Sequence, residues 1–125
     1  MKVAVIGTRT IYVKVNQLDD YLPENTTELV SGGARGIDCC ARIYAIERDV
    51  KISHFIPEYE KYGKSAPLKR NIQIIEYSDM VLAFWDGKSH GTEYVIKNCH
   101  KMNVPCRVYM FKGFDSDNNP IYELL

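Results

Sequence analysis

The chain has 125 residues, 46% of them hydrophobic, and its 16 basic and 16 acidic side chains balance to no net charge. That length suits one domain, 1–125, with enough apolar content for a core, which excludes global disorder. The even balance argues against a protein that coats nucleic acid or an anionic membrane, and no apolar run is long enough for a bilayer span or a signal-peptide core.

The elements alternate along the chain. Lys2–Ile6 is a β-rich run ending at Gly7, and Ile11–Leu22 reads as a helix stopped before Pro23. Thr26–Val30 is a second short strand. Ile37, Cys40, Ala41, Tyr44 and Ala45 then recur at helical spacing and give one apolar stripe. Ile52–Ile56 is a third strand, closed by Pro57. Leu68, Ile72 and Ile75 mark the next helix, with Pro67 suited to its first turn. Met80–Trp85 is an almost continuous apolar strand, Val95, Cys99 and Met102 mark another helix, and Cys106–Phe111 is a fifth strand. Strands apolar throughout are buried on both faces, as in a parallel sheet covered by helices. The core is expected over about 3–111. In the tail, 112–125, a turn-prone Asp-Ser-Asp-Asn-Asn-Pro stretch precedes Ile121-Tyr122-Glu123-Leu124, which reads as an antiparallel edge strand.

Cys39, Cys40, Cys99 and Cys106 form no C-x-x-C pattern and read as reduced thiols of a cytoplasmic protein. His54, His90 and His100 join them in no zinc spacing, so neither a metal nor a cofactor is expected.

Four loops carry the unusual residues, and each leaves the carboxyl end of a predicted strand. Gly7-Thr8-Arg9 leaves the first strand. Ser31-Gly32-Gly33-Ala34-Arg35-Gly36 leaves the second, and 57–65 the third. Trp85-Asp86-Gly87-Lys88-Ser89-His90-Gly91-Thr92 leaves the fourth. In an open α/β sheet ligands bind at that end, at a switch in strand order. Glycines between strand and helix let backbone N–H groups converge on an anion, and the helix start adds its positive dipole end. Arg35 and Arg70 offer planar donor forks for a phosphate. Thr92 could contact that phosphate or simply cap a helix. Asn71 follows Arg70 at the start of an apolar helix. Asp38 reads as a first-turn acid or a loop holder, and Trp85, Tyr59 and Tyr62 as base-stacking surfaces or packing.

These loops also carry a resemblance. "SGGARGID" is similar to the S-G-x-A-R-G-I-D stretch of the DNA-processing protein A (DprA/Smf) family. "YGK", "KRN" and "AFWDGKSHGTE" resemble the YspA-type branch of the SLOG superfamily, which joins DprA-like and LOG-like domains, and the likeness runs from Val3 to about Val108. It implies a Rossmann-like three-layer α/β/α sandwich with sheet order 3-2-1-4-5 and a nucleotide-derived ligand. In that comparison Gly32, Gly33 and Gly36 correspond to the glycine loop, Arg70 to a ligand-facing arginine, and Gly91-Thr92 to the phosphate loop of the LOG enzymes. Those phosphoribohydrolases carry P-G-G-x-G-T and then a catalytic Glu. Here Lys88-Ser89-His90-Gly91-Thr92-Glu93 lacks the Pro-Gly-Gly and displaces the candidate catalytic Glu93. The expectation is therefore binding of a phosphorylated, nucleotide-like molecule without fast turnover. Cleavage of an N-glycosidic bond and DprA-like binding of single-stranded DNA are the alternatives. The balanced charge argues against nucleic acid, no membrane partner is expected, and related domains pair beside the site, so a homodimer or larger is expected.

Overall fold

A computed structural model describes residues 1–125. Strands β1 (Lys2–Gly7), β2 (Glu28–Ser31), β3 (Lys51–His54), β4 (Met80–Trp85), β5 (Cys106–Phe114) and β6 (Pro120–Leu124) form one sheet in the order β3-β2-β1-β4-β5-β6. The first five pair in parallel, and β6 adds to β5 in antiparallel sense at the edge. The expected five-strand order stands, with the tail strand making the sheet six-stranded. The whole is the α/β sandwich that the alternation of elements predicts.

Pleating sorts the strand residues onto two faces. Val3, Val5, Leu29, Leu82 and Phe84 point to one face, which is covered by helices α1 (Val15–Tyr21) and α2 (Ile37–Arg48) through Leu18, Ile37, Ala41, Tyr44 and Ala45. Ala4, Ile6, Val30, Val81 and Ala83 point to the other. Two further helices, α4 (Ala66–Tyr77) and α5 (His90–Lys101), cover that face with Ile74, Ile75, Val95 and Cys99. The central strands are apolar on both faces because both faces are inside. No helix is long and apolar enough to cross a membrane.

Beyond shifts of one or two residues at the ends of β1, β2 and β3, the last of which leaves Ile56 outside its expected strand, three boundaries differ from expectation. The first helix starts at Val15, not Ile11: the β-branched Ile11 and Val13 are buried in the core as extended chain, and Val13 N–H donates to the Cys40 sulfur at 3.4 Å. Between His54 and Ala66 a short helix, α3 (Tyr59–Tyr62), and a 3₁₀ turn over Gly63–Ser65 fill what reads in sequence as loop. Strand β5 runs on to Phe114, across the expected core–tail boundary, because β6 supplies it with a partner over 109–114.

Candidate functional site

Strand order reverses between β1 and β4. Helices α1 and α2 lie on one face and α4 and α5 on the other, so a crevice opens above the carboxyl ends of these strands. Thr8 N–H donates to Phe84 O at 3.0 Å, and the Thr8 hydroxyl donates to Asp86 Oδ1 at 3.3 Å, which ties the two loops across the crevice. Asp86 Oδ1 also accepts the N–H groups of Lys88 and Ser89, each at 2.8 Å. Burial works against its charge, but these donors prevail and hold its carboxyl below the ordinary range. Asp86 thus shapes the loop that delivers α5.

Two clefts adjoin here. The first, about 380 Å³, lies over β1 and β4 and is lined by Gly7, Thr8, Arg9, Arg70, Asn71, Asp86, Ser89, Gly91 and Thr92 among others. The second, about 710 Å³, lies over β2 and β3 and is lined by Arg9, Gly32, Gly33, Arg35 and Gly36 together with Cys39, Arg42, His54, Ile56 and Pro57. Arg9, Ala34 and Asp38 line both.

Arg70 is the buried cation of the site. It is 8% exposed, Nη1 donates to Gly32 O at 2.7 Å, and Nε donates to Asn71 Oδ1 at 2.9 Å. Both partners are neutral, and the ion pairs of this molecule all lie elsewhere, at Arg48–Asp19, Lys51–Glu28, Lys97–Glu93 and Lys112–Glu123. Burial pushes its pKa below the usual guanidinium range, against the pull of Asp38. Asp38, 7% exposed, accepts Ala34 N–H at 3.1 Å. Burial raises its carboxyl pKa, and the Ala34 bond and Arg70 only partly offset that. Gly32 separates the pair: a Cβ there would stand 2.6 Å from Arg70 Nη1 and 3.1 Å from Asp38 Oδ2. Gly36, at φ +70, lies so close to the Thr8 and Arg9 carbonyls that a side chain would meet them at 2.5–2.6 Å. The α2 and α5 N-termini both lack a side-chain cap.

Ser31 is buried beneath its loop, with Oγ accepting Gly33 N–H at 3.2 Å. Trp85 lies outside both clefts and donates its indole N–H to Ser89 O at 3.0 Å. Gly87, at φ +82, makes the turn after Asp86, and the exposed His90 opens α5; neither lines a cleft. Glu93 also lies outside, and its Oε1 accepts from Lys97 Nζ at 2.9 Å. No three His, Cys, Asp or Glu side chains are grouped to hold a metal.

The sequence reading did not single out Arg42 or Ile56. For Arg42 a signal existed. Positions 38, 39 and 42 share one face of α2, so the arginine four residues after Asp38 opens on the same cleft.

No solved structure matches the chain. The Gene 61 protein of Mycobacterium phage D29 is 34% identical over 83 residues, 62% of this chain and 66% of that protein, so the match spans just under two thirds of the relative's length. The model of the family described as DNA recombination-mediator protein A matches residues 1–83, which hold β1 to β3, the first part of β4, the Ser31–Gly36 loop and Arg70. With more than half of its length matched, this chain belongs to the DNA recombination-mediator protein A family.

Proposed function

We propose that this protein binds the phosphate of a nucleotide-derived small molecule in the cleft over β1 and β4. The observation that carries the reading is Arg70: an arginine more than nine-tenths buried, its guanidinium bonded only to neutral acceptors, on the wall of that cleft. A buried cation with no ion-pair partner in contact is costly even with Asp38 nearby, and an anion that enters the cleft offsets that cost. Ser89 and Thr92 add hydroxyls, and the uncapped α5 N-terminus adds backbone donors. The finer likeness to the YspA-type branch, a cytoplasmic setting and the pairing of two copies belong to the same proposal.

Binding without turnover fits the carboxylates. Glu93 is held by Lys97 away from the clefts, while Asp38 and Asp86 accept backbone N–H groups that shape their loops. No free carboxylate is poised for glycosidic cleavage.

A second reading, binding of single-stranded DNA, draws on the family membership and on Arg9, Arg35 and Arg42, which are exposed on the second cleft. One titration separates the two. AMP and a decathymidylate are titrated into the protein by calorimetry at two salt concentrations. A small-molecule site binds AMP at least as tightly per site, with a shallow salt slope, and loses it in Arg70→Ala. A strand-binding groove prefers the decamer with a steep salt slope. No response to AMP in the wild-type protein would refute the first reading.

A further inference from the structure

The second cleft is larger than the first, and the phosphate reading leaves it without an occupant. Arg9, Arg35 and Arg42 supply it with three guanidinium groups, none in an ion pair. Arg42 Nη2 reaches only the Cys39 sulfur, at 3.6 Å. The one acid on this cleft is Asp38, whose Oδ2 is already engaged by Ala34 N–H. The lining also includes Ile56, which is 71% exposed, next to Pro57. A large apolar side chain open to water on the rim of an arginine-lined hollow is an unusual pairing. It suits a ligand with one anionic end and one flat apolar face.

The two clefts adjoin. They share Arg9, Ala34 and Asp38 as lining, so Ala34 of the glycine loop borders both, and the neighbouring Gly33 is open to solvent with nothing near its Cβ position. A single ligand lying over this shared border would place one anion on each side. Arg70 would hold the first anion and the Arg35–Arg42 pair the second, with Arg9 between them.

From this we infer that the ligand is a nucleoside carrying two phosphate groups at different positions, one phosphate in each cleft and the base against Ile56. The inference rests on the phosphate reading of the first cleft and adds the second anion. Mononucleotides fill half of the site. Such a bisphosphate can be a free metabolite or the phosphorylated end of a nucleic-acid strand; the chemistry recognised is the same.

The test titrates AMP, adenosine 3′,5′-bisphosphate and a 5′-phosphorylated dinucleotide into wild-type protein, Arg70→Ala and the double variant Arg35→Ala/Arg42→Ala. Circular dichroism and thermal midpoints confirm folding. Wild-type protein should bind the bisphosphate at least about tenfold more tightly than AMP, as one added charge-assisted contact provides. The double variant should lose that advantage while AMP affinity stays within about twofold, and Arg70→Ala should weaken both ligands. A dinucleotide that matches the bisphosphate points to a strand end, and one that binds only as AMP does points to the free metabolite; each supports two anion sites. Equal affinity of AMP and the bisphosphate for wild-type protein, or an equal loss of both ligands in the double variant, overturns the inference and leaves the first cleft standing. Absence of binding by all three overturns the phosphate reading as well.

Discussion

Substituting Gly32 tests whether Arg70 is as tightly held as its distances say. A Cβ on residue 32 would stand 2.6 Å from Nη1 and 2.9 Å from Cζ of Arg70. Comfortable non-bonded contacts begin near about 3.5 Å, so the guanidinium must retreat by most of an ångström. An exposed arginine would swing away at little cost. This one is 8% exposed and holds the Gly32 carbonyl and the Asn71 side chain, so retreat strains both bonds. Overpacking a tight site costs about 1–3 kcal/mol, and losing a hydrogen bond to a charged group about 1.5–3 kcal/mol. The stiffer unfolded chain returns about 0.4–1 kcal/mol. With the bonds strained rather than lost, Gly32→Ala should destabilise by about 2 kcal/mol, which for a chain of this size lowers Tm by about 8 °C. The clash lies with the Arg70 side chain, so in an Arg70→Ala background the same change should cost under about 0.5 kcal/mol. Urea unfolding of wild type, both single variants and the double variant measures this coupling. An equal cost in both backgrounds would refute the claim that Gly32 is glycine because of Arg70.

Two further predictions concern carboxylates. Glu93→Gln should leave AMP affinity within about twofold, and neither form should release base from nucleoside monophosphates when followed by chromatography; wild-type release abolished by the substitution would restore the hydrolase reading. Glu28, nearly buried at the start of β2, accepts the Tyr77 hydroxyl at 2.6 Å and the Ser53 hydroxyl at 2.7 Å. Burial opposes its charge, but these donors and Lys51 hold its pKa below the ordinary value. A folded pKa below the unfolded one means that this stabilisation is present above the unfolded value and is lost as pH falls through the folded one. Glu28→Gln should therefore cost about 1–3 kcal/mol at pH 7 and flatten the acid limb of stability between pH 5 and 3 (roughly the carboxylate range). Matching acid limbs in urea melts of the two proteins would count against it.

The legible elements were those whose pattern admits one structure. Met80–Trp85 is apolar at successive positions and only six residues long, and it lies in the middle of the sheet with both faces covered. Helix α4 announces itself by Pro67 in its first turn and by its apolar spacing. The segment 11–14 misled because an apolar–polar alternation of β-branched residues looks the same whether it belongs to a helix end or to an extended stretch tucked into the core. What decides is tertiary: Ile11 and Val13 pack beside Leu18 and Ile37, and the Tyr122 hydroxyl donates to the Tyr12 carbonyl from the far end of the chain at 2.7 Å. Contacts across 110 residues leave no local trace. The glycine loop was legible because its chemistry is local, whereas the rest of the second cleft was not, because α2 and the end of β3 with its following loop bring Arg42, His54, Ile56 and Pro57 to it from distant positions.

The charge balance shows how a true statement about composition can hide a site. A total of zero carries no positions, and the topology sorts the charges. In a parallel sheet every strand-to-helix loop emerges at one end and every helix-to-strand loop at the other. Arg9 and Arg35 belong to connections of the first kind and lie at the carboxyl end, joined there by Arg42 of α2 and Arg70 of α4. Glu24, Glu28 and Asp79 precede or open strands at the opposite end, where Asp79 accepts the N–H of Lys2 at 2.8 Å. The molecule is neutral and polar at once. The field that an approaching anion meets is set by the nearest residues within a Debye length of about 10 Å at 0.1 M salt, not by the sum over the chain. Charges summed separately over alternate connections expose that polarity, which the single total conceals. The neutrality that argues against an extended nucleic-acid coat therefore leaves room for a compact anion site.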